Sequence, residues 1–473
     1  MSGLLGAAIL VPFVTGFLLL VLRRLPRGLR NAVSVLASAA TLALVVMLWS
    51  RAGTGSHGLW LMGILRVLPS PLMVVDGIGL LLATVFAFVW LLVTLYSTGY
   101  LKGYDYQDDY FGFLLMMLGA MVGLCFARNM LMIYLFWELA GIATWRLVAF
   151  YRSDREVAAA RKTLLITFAG SVLMLVGFAV VFVEHQTFSP DRLSGPGMNP
   201  WALFLILAGI VTKSASVPMY VWLPDAHTSA PSPMSAVLSG IVAKIGLIAY
   251  IRIFIQSPLA PPESWPLIVG GIGVAGSLLA AGGALYARDY KRVLAYSTVS
   301  QLGYIFIGFA FAATFGLHAG IIYLVAHCLA KAGLFLAMGV VEKTTGRRDL
   351  TELGGLARTM PVTAAATAVM MLSIIGLPPL LGFWGKFYVI LAAVRGEALV
   401  IAIAALVAAV MTALYMVRLY RMFTGEPREG VAGREVGLLS SVVAVLALAT
   451  LALGVAYPWL SGYLDAALAA TGM

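Results

Sequence analysis

The chain has 473 residues, of which 62% are hydrophobic and only 11% are charged, and its formal net charge is +11. Soluble globular proteins carry about 25% charged residues, so this composition excludes a soluble protein with a large core and predicts an all-α polytopic membrane protein. The basic residues are scattered through short loops and form no patch. That pattern argues against nucleic acid as a partner and is typical of membrane topology.

Fourteen apolar stretches are long enough for membrane-spanning helices, because about 20 apolar residues cross a bilayer. The first stretch has no basic region before it, so we expect a retained helix rather than a cleaved signal. No loop is long enough to hold a folded soluble domain, and we expect a single membrane domain over 1–473. The predicted helices lie at about 2–22, 31–49, 71–98, 110–127, 130–151, 162–183, 201–220, 235–255, 265–286, 293–312, 318–341, 360–394, 399–420 and 437–460.

Lysine and arginine are unevenly distributed between the two ends of these helices. If the N-terminus lies outside, 20 of the 31 basic residues fall in inner loops and helix ends, 6 on the outer side, and 5 within spans. Cytoplasmic loops of membrane proteins carry an excess of lysine and arginine. The asymmetry predicts a multi-pass protein of the inner (plasma) membrane, with both termini on the outer side.

Two proline-containing segments interrupt the helical pattern. The first, KSASVPMYVWLPDAHTSAPSP at 213–233, has four prolines, and the second, GLPPLLGFWGKF at 376–387, has two adjacent ones. Proline removes a backbone donor, and in lipid the freed groups must face protein or water. Paired broken helices in the two halves of a transporter indicate its ion path. We therefore predict broken helices 7 and 12 and two inverted five-helix repeats, at 110–255 and 265–420, flanked by 1–98 and 437–473.

Four lysines lie inside apolar stretches, where a charged side chain costs about 2.5–3.5 kcal/mol and by default indicates an ion or proton path. They are Lys213, Lys244, Lys331 and Lys386. Lys244 is near mid-span among small residues, which would permit close helix packing and a thin water channel. Lys386 follows the second break and is near a helix end, so snorkelling of its ammonium to the interface is the alternative to a function.

Glu138, in LFWELAGIATW at 135–145, and Lys213, five residues before Pro218, are candidate partners. Glu138 is either a carboxylic acid kept neutral by burial or a carboxylate paired with a lysine of another span. We favour the pair, because unpaired buried carboxylates are rare. A buried lysine loses its proton more easily, and a nearby carboxylate restores the charged form. Lys213 with a movable partner would be a switchable proton carrier, and snorkelling is the alternative.

His327 and Lys331 are four residues apart in HCLAKAGLF at 327–335. This spacing places them on one helix face, a turn apart, and histidine changes charge near neutral pH. We interpret the two residues as stations of one proton path. For His327 the alternative is a hydrogen bond between helices.

Other polar residues near the breaks and spans give weaker signals. Asp225 in the first break either gates an inner vestibule or caps a helix, and Pro218 and Pro378 are candidate gating positions. Asp76 begins a span and is a candidate cap, and Arg146 is expected to snorkel from its helix end. We find no metal-ligand spacing, phosphate loop or nucleophile constellation, so we expect no metal, cofactor or catalytic redox site in this chain.

Several of these stretches together resemble the antiporter-like subunits of respiratory complex I. The same superfamily includes Mrp-type cation/proton antiporter subunits and membrane subunits of energy-converting hydrogenases. The resemblance covers predicted helices 3–13 in order. It is carried by FWE at 136–138, KSASVPMYVWLPDA at 213–226, the helix around Lys244, KRVLAYSTVSQLGY at 291–304, HCLAKAG at 327–333 and GLPPLLGFWGKF at 376–387.

The resemblance implies fourteen helices with two inverted five-helix repeats, and a chain of charged groups along the membrane midplane. It implies a paired switch at Glu138 and Lys213, a central relay at Lys244, a second relay at His327 and Lys331, and a terminal station at Lys386 near the outer exit. Two departures are an arginine, Arg146, where the family usually has an uncharged residue, and a terminal lysine where some relatives have glutamate. The role of Arg146 is left open.

The sequence therefore predicts a proton-translocating subunit of a multi-subunit complex, together with other membrane subunits and a soluble redox or catalytic arm that supplies energy. The alternatives are a proton-channel partner of a carbon-uptake complex and an Mrp-type sodium/proton antiporter subunit. A quinone-reactive enzyme would need a polar quinone pocket beside an iron–sulfur partner, and a purely structural scaffold would not need buried lysines. The complex, the energy source and the coupling ion stay open.

Overall fold

The structure, a computed structural model, describes residues 1–22, 25–52, 57–59, 72–193, 197–258, 261–313, 315–431 and 433–470. Most of this part of the chain is helical, which confirms the all-α class. The helices are α1 (Ser2–Val21), α2 (Arg27–Ala52), α3 (Gly77–Tyr100), α4 (Gln107–Phe126), α5 (Met130–Val148), α6 (Asp154–His185), α7 (Pro200–Lys213), α8 (Leu223–Ser229), α9 (Ser232–Gly240), α10 (Ile245–Tyr250), α11 (Trp265–Tyr286), α12 (Tyr290–Ala310), α13 (Gly316–Thr345), α14 (Pro361–Ile375), α15 (Leu381–Arg395), α16 (Leu399–Thr424), α17 (Gly437–Val455) and α18 (Tyr457–Ala469).

Within the described ranges, twelve helices are long and apolar enough to cross a membrane, and two shorter apolar helices, α7 and α14, accompany them. The multi-pass membrane class is therefore confirmed. Both predicted breaks are present, because the chain leaves the helix between α7 and α8 and again between α14 and α15. The total of fourteen spans stays a prediction, as does the division into repeats at 110–255 and 265–420.

Helix boundaries differ from the predicted ones by up to eight residues, since α6 begins at Asp154 rather than at 162 because its charged first turns precede the apolar stretch. The stretch expected from residue 71 begins its helix at Gly77, because Met73–Val75 (β2) pairs antiparallel with His57–Leu59 (β1). At the other end of the chain, the helix expected at 437–460 ends at Val455, and α18 follows it after one residue. A three-residue strand has no strong sequence signal, whereas Pro458 in the first turn of α18 was an available signal for the end of α17.

The stretch expected as one helix at 235–255 is divided into pieces. α9 ends at Gly240, a 3₁₀ turn covers Val242–Lys244, α10 follows, and a π-helical turn covers Ile251–Ile255. Ile241 leaves the helical region, with φ −130° and ψ −57°. No proline lies here, so the sequence does not show the discontinuity. Winding changes inside helices are frequent at functional sites, and this one places Lys244 where the helix is interrupted.

The centre of the molecule is α13. It is buried without interruption from Ala319 to Val341. A helix that is apolar all round is typically enclosed by other helices, and α13 packs against α9, α12, α15 and α17 among others. Two of the predicted stations, His327 and Lys331, therefore lie in the interior of the helix bundle rather than at a lipid-facing surface.

A buried ion pair joins the start of α3 to the π-helical turn. Arg252 is 1% exposed and donates to the Asp76 carboxylate, to the carbonyl oxygen of Cys125 and, at 3.0 Å, to Oε1 of Gln256. Asp76 also caps α3, since its Oδ1 accepts the N–H of Gly79 at 2.7 Å. The expected cap is confirmed. Arg252 can be buried because it is paired with the Asp76 carboxylate.

Replacing Arg252 with leucine is expected to lower the free energy of unfolding by about 3–5 kcal/mol, because the Asp76 carboxylate would remain buried without its partner. The matched control is Arg347→Leu, which removes an exposed ion pair to Glu352 at 3.4 Å worth about 0–1 kcal/mol. The midpoint of thermal unfolding in detergent measures the difference. Equal midpoints for the two variants would contradict the assigned role of the buried pair.

Candidate functional site

Lys213 is the last residue of α7, at the first break, and it is buried. Its Nζ lies 3.4 Å from the carbonyl oxygen of Trp137 on α5 and 5.5 Å from the centre of the Trp137 ring. A Cβ at Gly141, one turn further along α5, would come within 2.9 Å of the same Nζ. Glycine at this position therefore makes room for the ammonium against α5, and Lys213 does not snorkel.

Glu138 follows Trp137 on α5 and is half-buried. Its Oε1 is buried and has no hydrogen-bond partner among the described residues, and their ion pairs within 4 Å do not include one between Glu138 and Lys213. The two side chains still interact electrostatically. The structure therefore places the two candidate partners on neighbouring helices, with the ammonium on the backbone carbonyl beside Glu138 rather than on its carboxylate. The switch role of the pair stays a prediction.

Lys244 lies at the interruption between α9 and α10 and is fully buried. Its Nζ donates to the carbonyl oxygen of Ser239 and lies 2.7 Å from Nδ1 of His327 on α13. When Lys244 is an ammonium, which has only donors, Nδ1 accepts from it and the neutral imidazole carries its proton on Nε2. That Nε2 has no hydrogen-bond partner among the described residues. The contact brings together two groups that are 83 positions apart in the sequence.

Lys331 is one turn after His327 on α13 and is also fully buried. Its Nζ donates to the carbonyl oxygen of Leu294 on α12 at 3.2 Å. The i, i+4 spacing predicted a shared helix face, and both residues do face neighbouring helices of the bundle interior. Their partners differ: His327 contacts Lys244, between α9 and α10, and Lys331 contacts α12.

Lys386 lies on α15 after the second break and is buried, so it does not snorkel. Its Nζ donates to the carbonyl oxygen of Ile374 at 2.7 Å, one of the carbonyls that the end of α14 leaves without an intrahelical partner. The ammonium also lies 4.6 Å from the ring centre of Tyr304 and 5.7 Å from that of Tyr323, where cation–π attraction stabilises its charge.

Tyr323 on α13 lies between the Lys386 ammonium and His327. It lies one turn before His327, with ring centres 6.5 Å apart. Its hydroxyl donates to Oε1 of Gln301 at 2.5 Å, and Nε2 of Gln301 donates to the hydroxyl of Tyr415 at 2.8 Å. This buried hydrogen-bonded group was not singled out from the sequence. The sequence feature that could have indicated it is the run of polar residues in KRVLAYSTVSQLGY, at 291–304, inside an apolar helix.

His227 on α8 is a second residue that sequence reasoning missed. It is fully buried, its ring stacks on Phe335 at 4.4 Å, and neither ring nitrogen has a hydrogen-bond partner among the described residues. Lys331, Lys291 and Lys244 all act electrostatically on it. A buried imidazole without partners is costly, and its place in the first break, two residues after Asp225, was the available signal.

Asp225 forms ion pairs with Lys162 at 2.7 Å and with Arg292 at 3.1 Å, which tie α8 to α6 and α12. A gating role for Asp225 stays a prediction, as do those of Pro218 and Pro378. These two prolines lie in the breaks, where the Val217–Pro218 and Pro378–Pro379 peptide bonds are cis.

Arg146 does not extend freely to the interface. It pairs with Asp109 at the start of α4, and Arg152 donates to the same carboxylate at 2.7 Å.

Glu342, near the end of α13, accepts from the side chains of four residues. Lys291 pairs with it at 2.9 Å, Arg348 and Ser232 donate to it at 2.7 Å, and the hydroxyl of Tyr100 donates at 3.0 Å. Lys291, counted as a loop residue from the sequence, is fully buried here. Burial lowers the pKa of Arg348, but the nearby Glu342 carboxylate outweighs it and raises that pKa above its ordinary value. The cluster holds the ends of α3, α9, α12 and α13 together.

Two broken helices with a series of buried lysines and histidines between them define a class of multi-pass ion-translocating proteins. Comparison with known proteins identifies the family. Residues 127–412 match the family model described as NADH:quinone oxidoreductase/Mrp antiporter, TM. The chain belongs to this family, which confirms the resemblance read from the sequence.

One curated relative and two solved structures show how far the similarity extends. A Na(+)/H(+) antiporter protein of Alkalihalophilus pseudofirmus is 34% identical over 387 residues, 74% of this chain and 48% of the relative. The chain thus spans about half the length of the curated relatives it matches. A chain of the Mrp complex from Dietzia sp. DQ12-45-1b is 26% identical, with a TM-score of 0.88 over 100% of this chain and 97% of that one. A chain of respiratory complex I from Thermus thermophilus is 25% identical, with a TM-score of 0.86 over 99% of both chains.

Proposed function

We propose that this chain is a proton-translocating, antiporter-like membrane subunit of a multi-subunit energy-converting complex. The observation that carries the proposal is the direct contact between Lys244 and His327, deep in the bundle, between the lysines at the two breaks. An apolar interior does not retain several ammonium groups for stability, because replacing buried charges with apolar residues is often neutral or stabilising. The function that these buried ammonium groups share is the transfer of protons.

The order of the groups defines the route. Protons enter from the cytoplasm near the first break, and separation of Glu138 from Lys213 removes the charge that favours the Lys213 ammonium. The proton passes to Lys244 and His327, then to Lys331, and leaves by Lys386. Tyr323 lies between His327 and Lys386 and offers a second connection to Lys386, which does not pass through Lys331. Gating at Asp225, Pro218 and Pro378 belongs to the same proposal, because these residues lie in or beside the two breaks.

The proposal includes other membrane subunits. Glu138 is only half-buried, on a helix whose neighbours Leu135 and Ile142 are exposed, and a carboxylate at membrane depth is costly against lipid. Cover by another subunit removes this cost. The solved relatives come from an Mrp complex and from respiratory complex I, and a soluble arm would supply energy. We place the chain in the plasma membrane with both termini outside, on the asymmetry of its basic residues.

Two inverted repeats, 110–255 and 265–420, are part of the proposal. In each break a lysine ammonium is bound by a backbone carbonyl, that of Trp137 for Lys213 and that of Ile374 for Lys386. Two breaks built alike support equivalent half-channels related by a pseudo-two-fold axis.

A sodium/proton antiporter subunit is the second candidate, and the 34% identity to a protein of a Na(+)/H(+) antiporter favours it. Proton flux in membrane vesicles that contain the assembled complex separates the two candidates. A proton-pumping subunit moves protons in sodium-free medium, whereas an antiporter moves them only against a sodium gradient. Absence of proton flux under both conditions would contradict the proposed function.

We place His227, which is buried in the first break, beside this route as an additional station. Replacing it with phenylalanine is therefore expected to lower proton flux roughly tenfold, because an aromatic ring would keep the stacking on Phe335 but lose both nitrogens. The matched control, Phe335→Leu, loses the stacking and keeps the imidazole, and should retain most of the flux. A pH-sensitive dye in vesicles measures both variants, with unfolding midpoints to confirm folding. Wild-type flux in His227→Phe would show that the histidine only fills space.

A further inference from the structure

Beyond proton transfer, a basic cleft lies at the end of α16. The cleft has a volume of ≈ 680 Å³. It is lined by Arg418, Arg421 and Arg428, by Glu426 and by two leucines of the loop after α13. The ion pairs among the described residues include none between these arginines and a carboxylate, Glu426 included. An apolar span of 26 residues precedes the cleft, which puts it at the membrane–water interface.

Two other clefts at the ends of these helices are basic too, but each contains a carboxylate that pairs with two basic residues. In one, Arg146 and Arg152 share the Asp109 carboxylate. In the other, Asp225 pairs with Arg292 and with Lys162. The cleft at the end of α16 therefore differs from both, because its three guanidinium groups lack a carboxylate partner within the described part of the chain.

The walls of this cleft are fixed by close packing. A Cβ at Gly354 would overlap the carbonyl oxygen of Glu426, and one at Gly355 would lie 2.8 Å from Pro427. The loop that carries Arg428 is thus pressed against the loop after α13. Arg418 is also held, since its guanidinium donates to the backbone carbonyl of Leu285 at the end of α11.

An exposed apolar stripe on α16 leads to the cleft. Its members recur at helical spacing and end one turn before Arg421; they are Ile403, Val407, Val410, Leu414 and Val417, each about half exposed. A free phosphate ion would need only the arginines, and an acidic peptide would not need the stripe. A phospholipid needs both, with acyl chains along the stripe and a phosphodiester among the guanidinium groups.

We propose that the cleft formed by Arg418, Arg421 and Arg428 binds the phosphodiester of an anionic phospholipid, whose acyl chains lie along the exposed stripe of α16. Guanidinium groups bind phosphate in a bidentate manner, and basic pockets on the cytoplasmic side of membrane proteins bind anionic head groups. The site is independent of the proton path, because the hydrogen bonds and ion pairs of the described residues include none between this cleft and the buried lysines or histidines.

The test is titration of the full chain, purified in detergent with the subunits that accompany it, with phosphatidylglycerol. Native mass spectrometry counts the bound lipids, and phosphatidylcholine and inorganic phosphate serve as comparison arms. The double variant Arg421→Ala/Arg428→Ala is expected to bind phosphatidylglycerol about tenfold more weakly. The matched control Arg155→Ala/Arg161→Ala removes two exposed arginines, one from each of the clefts that contain a paired carboxylate, and should bind the lipid as the wild type does.

Three results would overturn the proposal. Equal loss in both double variants would indicate general attraction to basic surface rather than a site. Displacement of the lipid by millimolar phosphate would indicate a free-anion site. Unchanged binding in Arg421→Ala/Arg428→Ala would indicate that another subunit or no ligand occupies the cleft. Because the readout is lipid binding, a failure of the proposed proton path would not affect it.

Discussion

Replacing Lys244 with methionine is expected to lower proton flux through the assembled complex by about a hundredfold or more, the scale on which positioned proton-transfer groups act. Among the described residues, Lys244 is the one lysine of the series whose Nζ is within hydrogen-bond distance of a titratable side chain, the imidazole of His327 at 2.7 Å. Methionine keeps the length and most of the volume of the lysine side chain. The loss would therefore reflect the missing ammonium rather than a cavity.

The control for this variant is Lys102→Met, which removes a lysine from an exposed turn after α3. It makes the same chemical change and the same change in net charge, but outside the proton path, so its flux should equal that of the wild type. Dye-monitored proton flux in vesicles compares the two variants. If Lys244→Met conducts as well as Lys102→Met, the central station is assigned to the wrong residue.

The second large effect is expected at the first break. Glu138→Gln and Lys213→Ala should each lower proton flux roughly ten- to a hundredfold, because each removes one charge of the proposed switch. If the two residues act as one unit, the double variant should be no slower than the slower single variant, since effects within a unit are not additive. Flux through the assembled complex measures all three variants.

Glu263→Gln is the matched control, because Glu263 is an exposed carboxylate in the loop before α11. Its flux should be that of the wild type. Multiplied losses in the double variant would mean that Glu138 and Lys213 act separately. Unchanged flux in either single variant would remove the switch from the mechanism.

The sequence predicted those features of the fold that single residues determine locally. Several prolines close together, four at 213–233 and two at 378–379, interrupt a helix, so both breaks could be predicted, whereas the single Pro12 is accommodated inside α1. Burial of the four lysines followed from their apolar surroundings in the same way. The interruption before Lys244 has no proline or other local signal, because it depends on packing against neighbouring helices.

Contacts between distant helices could not be predicted from the sequence. The partner of His327 is Lys244 on another helix, although the sequence pairs His327 with Lys331 on its own. The ammonium of Lys213 donates to the backbone carbonyl of Trp137, one residue before Glu138 on α5, rather than to the Glu138 carboxylate. The burial of Arg252 and Lys291 depends on Asp76 and Glu342, which other parts of the chain place beside them. Side-chain pairing depends on helix rotation and crossing, which the apolar pattern does not specify.

Lys331→Met most directly tests the central claim that the buried charges serve transport rather than stability. Lys331 is fully buried and donates to the backbone carbonyl of Leu294. Proton flux and the midpoint of thermal unfolding would be measured on the same preparation of the complex. We expect Lys331→Met to have a strongly reduced proton flux and an unchanged or higher unfolding midpoint, because an apolar side chain is more stable in this interior than an ammonium. Wild-type flux, or a lowered midpoint that itself explains the lost flux, would contradict it.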